Sequence, residues 1–199
     1  MSEHTFVSSS RDRAAGPSDD MLIGQIAAGD KVALRTLFER HHLKVYRFAL
    51  RIVRDATLAE DAVSETFLEV WRHAGRYAGR ASVSTWLLAI ARNRALSAMR
   101  RRPTESLESE AAQNVADPAS DPEAALGRTE TNAGLRNALA ALSREHAEII
   151  DLVYYQEKSI REIAAMLAIP ENTVKTRMFY ARKRLAALVT AAGIARAAA

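Results

Sequence analysis

The segment SIREIAAMLAIPENTVKTR, residues 159–177, carries the organisation of the chain in its order of residue types. Ser159 and Glu162 have the form of a capping box, in which a hydroxyl and a carboxylate satisfy free amides at a helix start. Ile160, Ile163, Ala164 and Leu167 then recur as one apolar stripe, and the alanine is small enough to let a second helix cross closely. Pro170 cannot continue that helix, and Asn172 tolerates the left-handed backbone that a tight turn requires. Thr173 is the expected cap of the next helix. The pattern is helix, turn, helix.

On the second helix Val174, Met178, Ala181, Leu185 and Leu188 follow the alternating four- and three-residue steps of a buried stripe. At about 100° per residue the opposite face then holds Thr176, Phe179, Tyr180 and Lys183. Lys175 and Arg182 border it on one side, Arg177 and Arg184 on the other. This arrangement suits a helix lying in a DNA major groove, with cations reaching both phosphate walls and an outward phenylalanine available to a thymine methyl. A helical hairpin with a solvated basic face would share the spacing, but it would not call for two outward aromatics.

Working outward, residues 131–190 form one helical unit, in which Leu135, Leu139 and Leu142 lead to Ser143, the expected cap of a helix carrying Ile149, Ile150, Leu152, Val153 and Tyr154. Residues 103–130 hold Pro103, Pro118 and Pro122 among serines, alanines and acids with no apolar period, and are expected to be a flexible acidic linker. Residues 20–102 form a second helical unit. Leu34, Leu37, Phe38, Val45, Phe48, Ala49 and Ile52 mark the buried face of one or two helices ending near Asp55. Thr57 to Glu60 reads as a capping box for a helix reaching about Ala74. Gly75 and Gly79 bracket a break, and Ser82 or Ser84 opens a third helix that runs to the arginines before Pro103. Residues 1–19 have the composition of a disordered leader, and 191–199 are a tail. No segment reads as a strand, so the expected fold is all-α: two small helical domains joined by a linker.

The 199 residues carry a net charge of +4, are 48% hydrophobic and include no cysteine. That content supports a buried core, and it excludes disulfides, thiolate zinc sites and thiol catalysis. No segment reaches the roughly 20 apolar residues needed to span a bilayer, which predicts a cytoplasmic protein without membrane insertion. Basic clusters at 92–94, 100–102 and 175–184 flank the acidic stretch from Glu105 to Glu123, a distribution that fits a nucleic-acid partner. No nucleophile with a base and an orienting group can be assembled, so an enzyme is not expected and no cofactor is implied. His41 and His42 are adjacent, point about 100° apart on a helix and lack the i, i+4 spacing of a shared metal, so no metal site is expected.

The segment from Asp61 to Trp71 (DAVSETFLEVW), followed by Ser84 to Asn93 (STWLLAIARN), resembles the sigma-two domain of extracytoplasmic-function sigma factors of the sigma-70 family. Glu162-Ile163-Ala164 and Pro170 to Arg177 resemble the sigma-four domain. The likeness runs from residue 21 to 188 in the family's order, with a short linker in place of a middle domain. Ser64 and Ser97 depart from the glutamine and aspartate usual in the family.

The resemblance implies a subunit that binds core RNA polymerase and directs initiation at promoters, typically of stress or envelope-response genes, and that is often restrained by an anti-sigma factor. It implies docking on polymerase through Asp61, Glu65, Phe67, Leu68, Glu69 and Trp71. Three of these, Asp61, Glu65 and Glu69, form an acidic i, i+4, i+8 stripe whose repulsion a basic partner would relieve. It further implies minus-ten recognition and melting through Tyr77, Arg80, Ser84, Trp86 and Asn93, although a tryptophan beside Leu87 and Ile90 is equally at home in a core. Minus-thirty-five recognition falls to Thr173, Lys175, Thr176, Arg177, Phe179, Tyr180, Arg182 and Lys183. The competing reading is a stand-alone helix-turn-helix regulator with a ligand-sensing N-terminal domain, for which the N-terminal helices offer no convergent polar cluster.

Overall fold

A computed structural model describes residues 16–101 and 129–191, with the side chains of 129–133 excepted. Among the described residues every regular element is helical. The first unit comprises α1 (Asp19–Ala27), α2 (Lys31–Val53), α3 (Ala56–His73), a 3-10 turn (Ala74–Arg76) and α4 (Val83–Arg101). The second comprises α5 (Thr129–Ala140), α6 (Arg144–Ile150), a π-helical turn (Asp151–Tyr155), α7 (Ile160–Leu167) and α8 (Glu171–Ala191). Residues 1–15 of the expected leader, residue 102 at the end of the first expected domain, 103–128 of the expected linker with its stop at Pro103, and 192–199 of the tail lie outside the described residues. Helix begins inside two of those expected segments, at Asp19 and at Thr129.

Each start has a local cause. Ser18 accepts from the Met21 amide, Asp30 from Val32 and Ala33, Ser82 from Thr85, and Ser143 from His146. The start of α3 departs from expectation, because Asp55 and not Thr57 caps it, accepting from the Leu58 amide at 3.0 Å. Arg54 is left-handed (φ 55°) and Asp55 extended, so the chain turns sharply there and presents a carboxylate to the first free amides.

In the first unit α2, α3 and α4 pack around Leu37, Val45, Phe48, Val70, Leu87 and Leu88, with Ala59, Ala62, Ala91 and Ala95 allowing close helix approach. Leu22, Ile23 and Ile26 of α1 close one side. Phe38, expected inside, is instead partly exposed at the surface. It stacks on His42 one turn away and meets the edge of Phe67 at 4.9 Å. His41 pairs with Asp19 at 2.6 Å.

The second unit has a modest core of its own, Leu142, Ala147, Ile150 and Ala181. Five other buried apolar side chains, Ile149, Leu152, Ile163, Leu167 and Val174, join the core of the first unit instead. Leu135 and Tyr154 lie at the surface. The two units are therefore packed face to face, with α6 and α7 laid across α2 and α4. No helix among the described residues is long and apolar enough to cross a membrane.

Candidate nucleic-acid and polymerase interfaces

The helix-turn-helix forms with the expected cap. Ser159 Oγ accepts from the Glu162 amide at 3.2 Å, and Glu162 Oε2 accepts from the Ser159 amide at 3.0 Å. The backbone bond from Ser159 outweighs burial and, with help from the Ser159 and Thr85 hydroxyls and the Lys158 charge, holds the Glu162 carboxyl below its ordinary value. The turn itself differs from the expected one. Ala168, not Asn172, takes the left-handed conformation (φ 54°), and α8 starts at Glu171, so that Thr173 lies within it. The Pro170 carbonyl receives the Thr173 and Val174 amides. Proline's fixed φ suits a helix start, and Glu171 in the first turn complements the helix dipole.

On α8 the expected rotation holds: Val174 and Ala181 are buried, while Phe179 and Tyr180 are 62% and 54% exposed and lie edge to face. Thr176, Lys175, Arg182 and Lys183 share the exposed surface, and Thr173 is half-buried. Thr176 Oγ1 donates back to the Asn172 carbonyl. Arg182 lies over Tyr154, 5.6 Å from the ring centroid, so the π-helical turn adds a further aromatic beside the recognition helix. From sequence, Tyr154 is placed only in the helix after Ser143 and not in the recognition surface. Arg177 is turned toward Glu145 (3.6 Å) and is the least available of the expected phosphate contacts.

In the first unit Asp61, Glu65 and Leu68 lie exposed on α3, with Glu69 and Trp71 half-buried. Phe67 is a correction: at 5% exposure it belongs to the core and supports this face from beneath. The repulsion along the acidic stripe is already met within the molecule. Arg94 of α4 reaches Glu65 at 3.4 Å and also pairs with Glu69, which His73 approaches from one turn away. Arg94 was grouped from sequence with a basic cluster; the crossing of α3 and α4 turns it to the acids.

Tyr77 and Trp86 come together, their ring centroids 5.2 Å apart and both half-buried against the core. The Tyr77 hydroxyl donates toward Asp20 (3.0 Å) and the Ala81 carbonyl (2.7 Å), tying the 3-10 turn to α1. Burial, the Asp20 bond and the charges of Asp20 and Asp19 push this phenol up to about 12. Trp86 is thus neither fully core nor a free stacking platform. Arg80 and Asn93 are exposed, whereas the Ser84 hydroxyl is engaged by Lys158 Nζ at 3.3 Å.

These features define a helix-turn-helix protein with an outward aromatic and basic recognition helix, coupled to a helical bundle with an acidic face. The model for Sigma-70 region 2 matches residues 37–104 and that for Sigma-70 region 4 matches 133–185. The ECF RNA polymerase sigma factor SigL of Mycobacterium tuberculosis is 34% identical over 176 residues, covering 85% of this chain and 96% of that protein. SigM of the same organism is 36% identical over 175 residues, covering 86% and 85%. Among solved structures, RpoE of Bartonella quintana in complex with the anti-sigma factor NepR superposes with TM-score 0.63 at 25% identity, covering 78% of this chain and 96% of that one. CnrH in complex with the cytosolic domain of CnrY shares the fold, with TM-score 0.64 at 24% identity over 88% of this chain and 99% of that one. The chain belongs to the extracytoplasmic-function sigma factors of the sigma-70 family, subunits that direct RNA polymerase to initiate transcription at particular promoters.

Proposed function

We propose a division of labour between the two units. Residues 20–102 bind core polymerase and open the minus-ten element; residues 131–190 read the minus-thirty-five element. The observation that carries this is the exposed Phe179 and Tyr180 pair on α8, since two large aromatics facing water on a helix with a buried stripe need a partner. Thr176, Phe179 and Tyr180 face base edges, while Lys175, Arg182 and Lys183, with Arg177 and Thr173 at the margin, meet phosphates. Asp61, Glu65, Leu68, Glu69 and Trp71 form the polymerase-facing surface on α3. Arg80, Asn93, Ser84 and the Tyr77–Trp86 pair handle the opened strand. The protein acts in the cytoplasm without catalysing a reaction itself, on promoters of a stress or envelope response. An anti-sigma factor restrains it, a reading supported by the RpoE–NepR likeness.

Transcription from a promoter carrying both elements, run with and without core polymerase, tests this reading. Initiation that needs both proteins supports it. Sequence-specific DNA binding by the free chain, with no effect on core, would favour the stand-alone regulator.

A further inference from the structure

The loop that joins the 3-10 turn to α4 has no packed side chain to hold its shape. Ala78, Gly79, Arg80, Ala81 and Ser82 are all exposed. Gly79 takes a left-handed backbone (φ 66°), a conformation that a side chain would strain. The loop is spanned instead by the residue at its start. The Tyr77 hydroxyl lies 2.7 Å from the Ala81 carbonyl near the loop's end, where Ser82 caps α4 by accepting from the Thr85 amide. The Tyr77 ring rests against the core with its centroid 5.2 Å from that of Trp86. One phenol therefore sets the span of the loop and, through the ring pair, the seat of Trp86.

A second oxygen reaches the same hydroxyl. Asp20 Oδ1, in the first turn of α1, stands 3.0 Å from it. A phenol has one proton to give, so a carbonyl and a carboxylate share it, and both favour the protonated form. The rise of this phenol to about 12, caused by burial, the Asp20 bond and the charges of Asp20 and Asp19, agrees with that geometry. The carboxylate is presented from a fixed base. Its neighbour Asp19 takes Arg40 at 2.9 Å and His41 at 2.6 Å, both on α2, and Leu22, Ile23 and Ile26 bury the inner side of α1.

An acid here runs against the charge of the ligand. In the division of labour above, Arg80 and the Tyr77–Trp86 pair receive an opened strand, whose phosphates a nearby carboxylate repels. Order in the loop offsets that repulsion. A loop already held in its receiving shape gives up less conformational freedom when the strand arrives.

We infer that Asp20 is a positioning residue for promoter opening: through the Tyr77 hydroxyl, α1 sets the loop 77–82 and the Trp86 ring in the arrangement that receives the single strand. The inference rests on the role given to that pair under the proposed function. The hydroxyl of Tyr77, as well as its ring, then belongs to the strand-receiving apparatus.

The test uses the full chain with core polymerase. Capture of an oligonucleotide carrying the opened minus-ten strand, and permanganate reactivity of the matching duplex promoter, are compared for Tyr77→Phe, Asp20→Ala, their combination and Asp20→Asn. Tyr77→Phe and Asp20→Ala should each weaken capture about three- to tenfold, the worth of one hydrogen bond. The combination should lose no more than Tyr77→Phe alone, because both changes act on one contact. Asp20→Asn keeps an acceptor oxygen and should stay within about twofold of wild type. In an alkaline absorbance titration of the free chain, Asp20→Ala should bring the Tyr77 phenol down from about 12 toward its ordinary 10.0, with circular dichroism unchanged. Charge alone implies the opposite sign, since removing an acid beside phosphates strengthens binding. Asp20→Ala protein that captures the strand as well as wild type, or better, would overturn the inference. So would losses that multiply in the combination, or Asp20→Asn as defective as Asp20→Ala. Tyr77→Ala separates the two levels: if it leaves capture unchanged, the ring pair has no part in opening and the underlying reading fails. Defective Tyr77→Ala beside intact Tyr77→Phe leaves that reading standing and removes only the role of the hydroxyl and of Asp20.

Discussion

Phe179→Ala separates a residue kept for binding from one kept for folding. At 62% exposure, roughly 120 Å² of a side chain of about 200 Å² faces water, so truncation should change stability by less than about 0.5 kcal/mol. Covering that same area against a base edge would release up to about 3 kcal/mol at 25 cal/mol/Å². Incomplete coverage leaves an expected cost of about 1–3 kcal/mol at the preferred minus-thirty-five sequence, the range of a good base contact. On promoters altered at the contacted base the cost should nearly vanish, because the wild type has already lost the contact there. Competition binding by the polymerase-bound protein, against promoters varied singly through this element, measures the difference directly. Equal weakening on every sequence, alongside altered base preference for Arg182→Ala, would show that the rotation assigned to α8 is wrong.

Other consequences are as specific. Loss of Lys175 or Arg182 should weaken binding to all sequences alike and lower the salt slope by about one unit per charge, read from titrations at several salt concentrations. Glu65→Arg should reduce affinity for core polymerase in a pull-down while leaving the circular dichroism spectrum intact; unchanged affinity would remove α3 from the docking surface. Glu162, whose folded pKa is depressed, contributes stability above its ordinary value of 4.5 and loses it as pH falls through the folded value, so urea midpoints from pH 5 to 3 should fall more steeply for wild type than for Glu162→Gln. Leu87→Ala, at a fully buried site on α4, should cost about 2–5 kcal/mol in chemical denaturation. Tyr77→Phe should remove one phenol ionising near pH 12 from an absorbance titration; because that pKa is raised, its stabilising share is present below pH 10 and fades as pH climbs through 12.

Sequence by itself determined what belongs to a single helix. The spacing of Val174, Met178, Ala181 and Leu185 set which side of α8 is buried, and hence which residues face outward, because 3.6-residue periodicity is a property of one element and needs no partner. Ser143 and Ser159 were legible as caps for the same reason: the hydroxyl and the amide it serves lie three residues apart. Legibility failed where neighbours act on each other. Ala168 rather than Asn172 became left-handed, and Asp55 rather than Thr57 capped α3, because the angle between consecutive helices decides where the chain must turn. Phe67 had the chemistry of a surface anchor but fell on the side of α3 that α2 covers. Only tertiary structure decided the partners of the charges. Arg94 meets Glu65 and Glu69, Arg92 meets Glu148 and Arg51 meets Asp151 across tens of residues of chain, through crossings of helices that no local pattern encodes. A run of arginines in a DNA-binding protein looks alike in sequence whether each faces a phosphate or a carboxylate, since both are anions and the choice is made by which helix packs alongside.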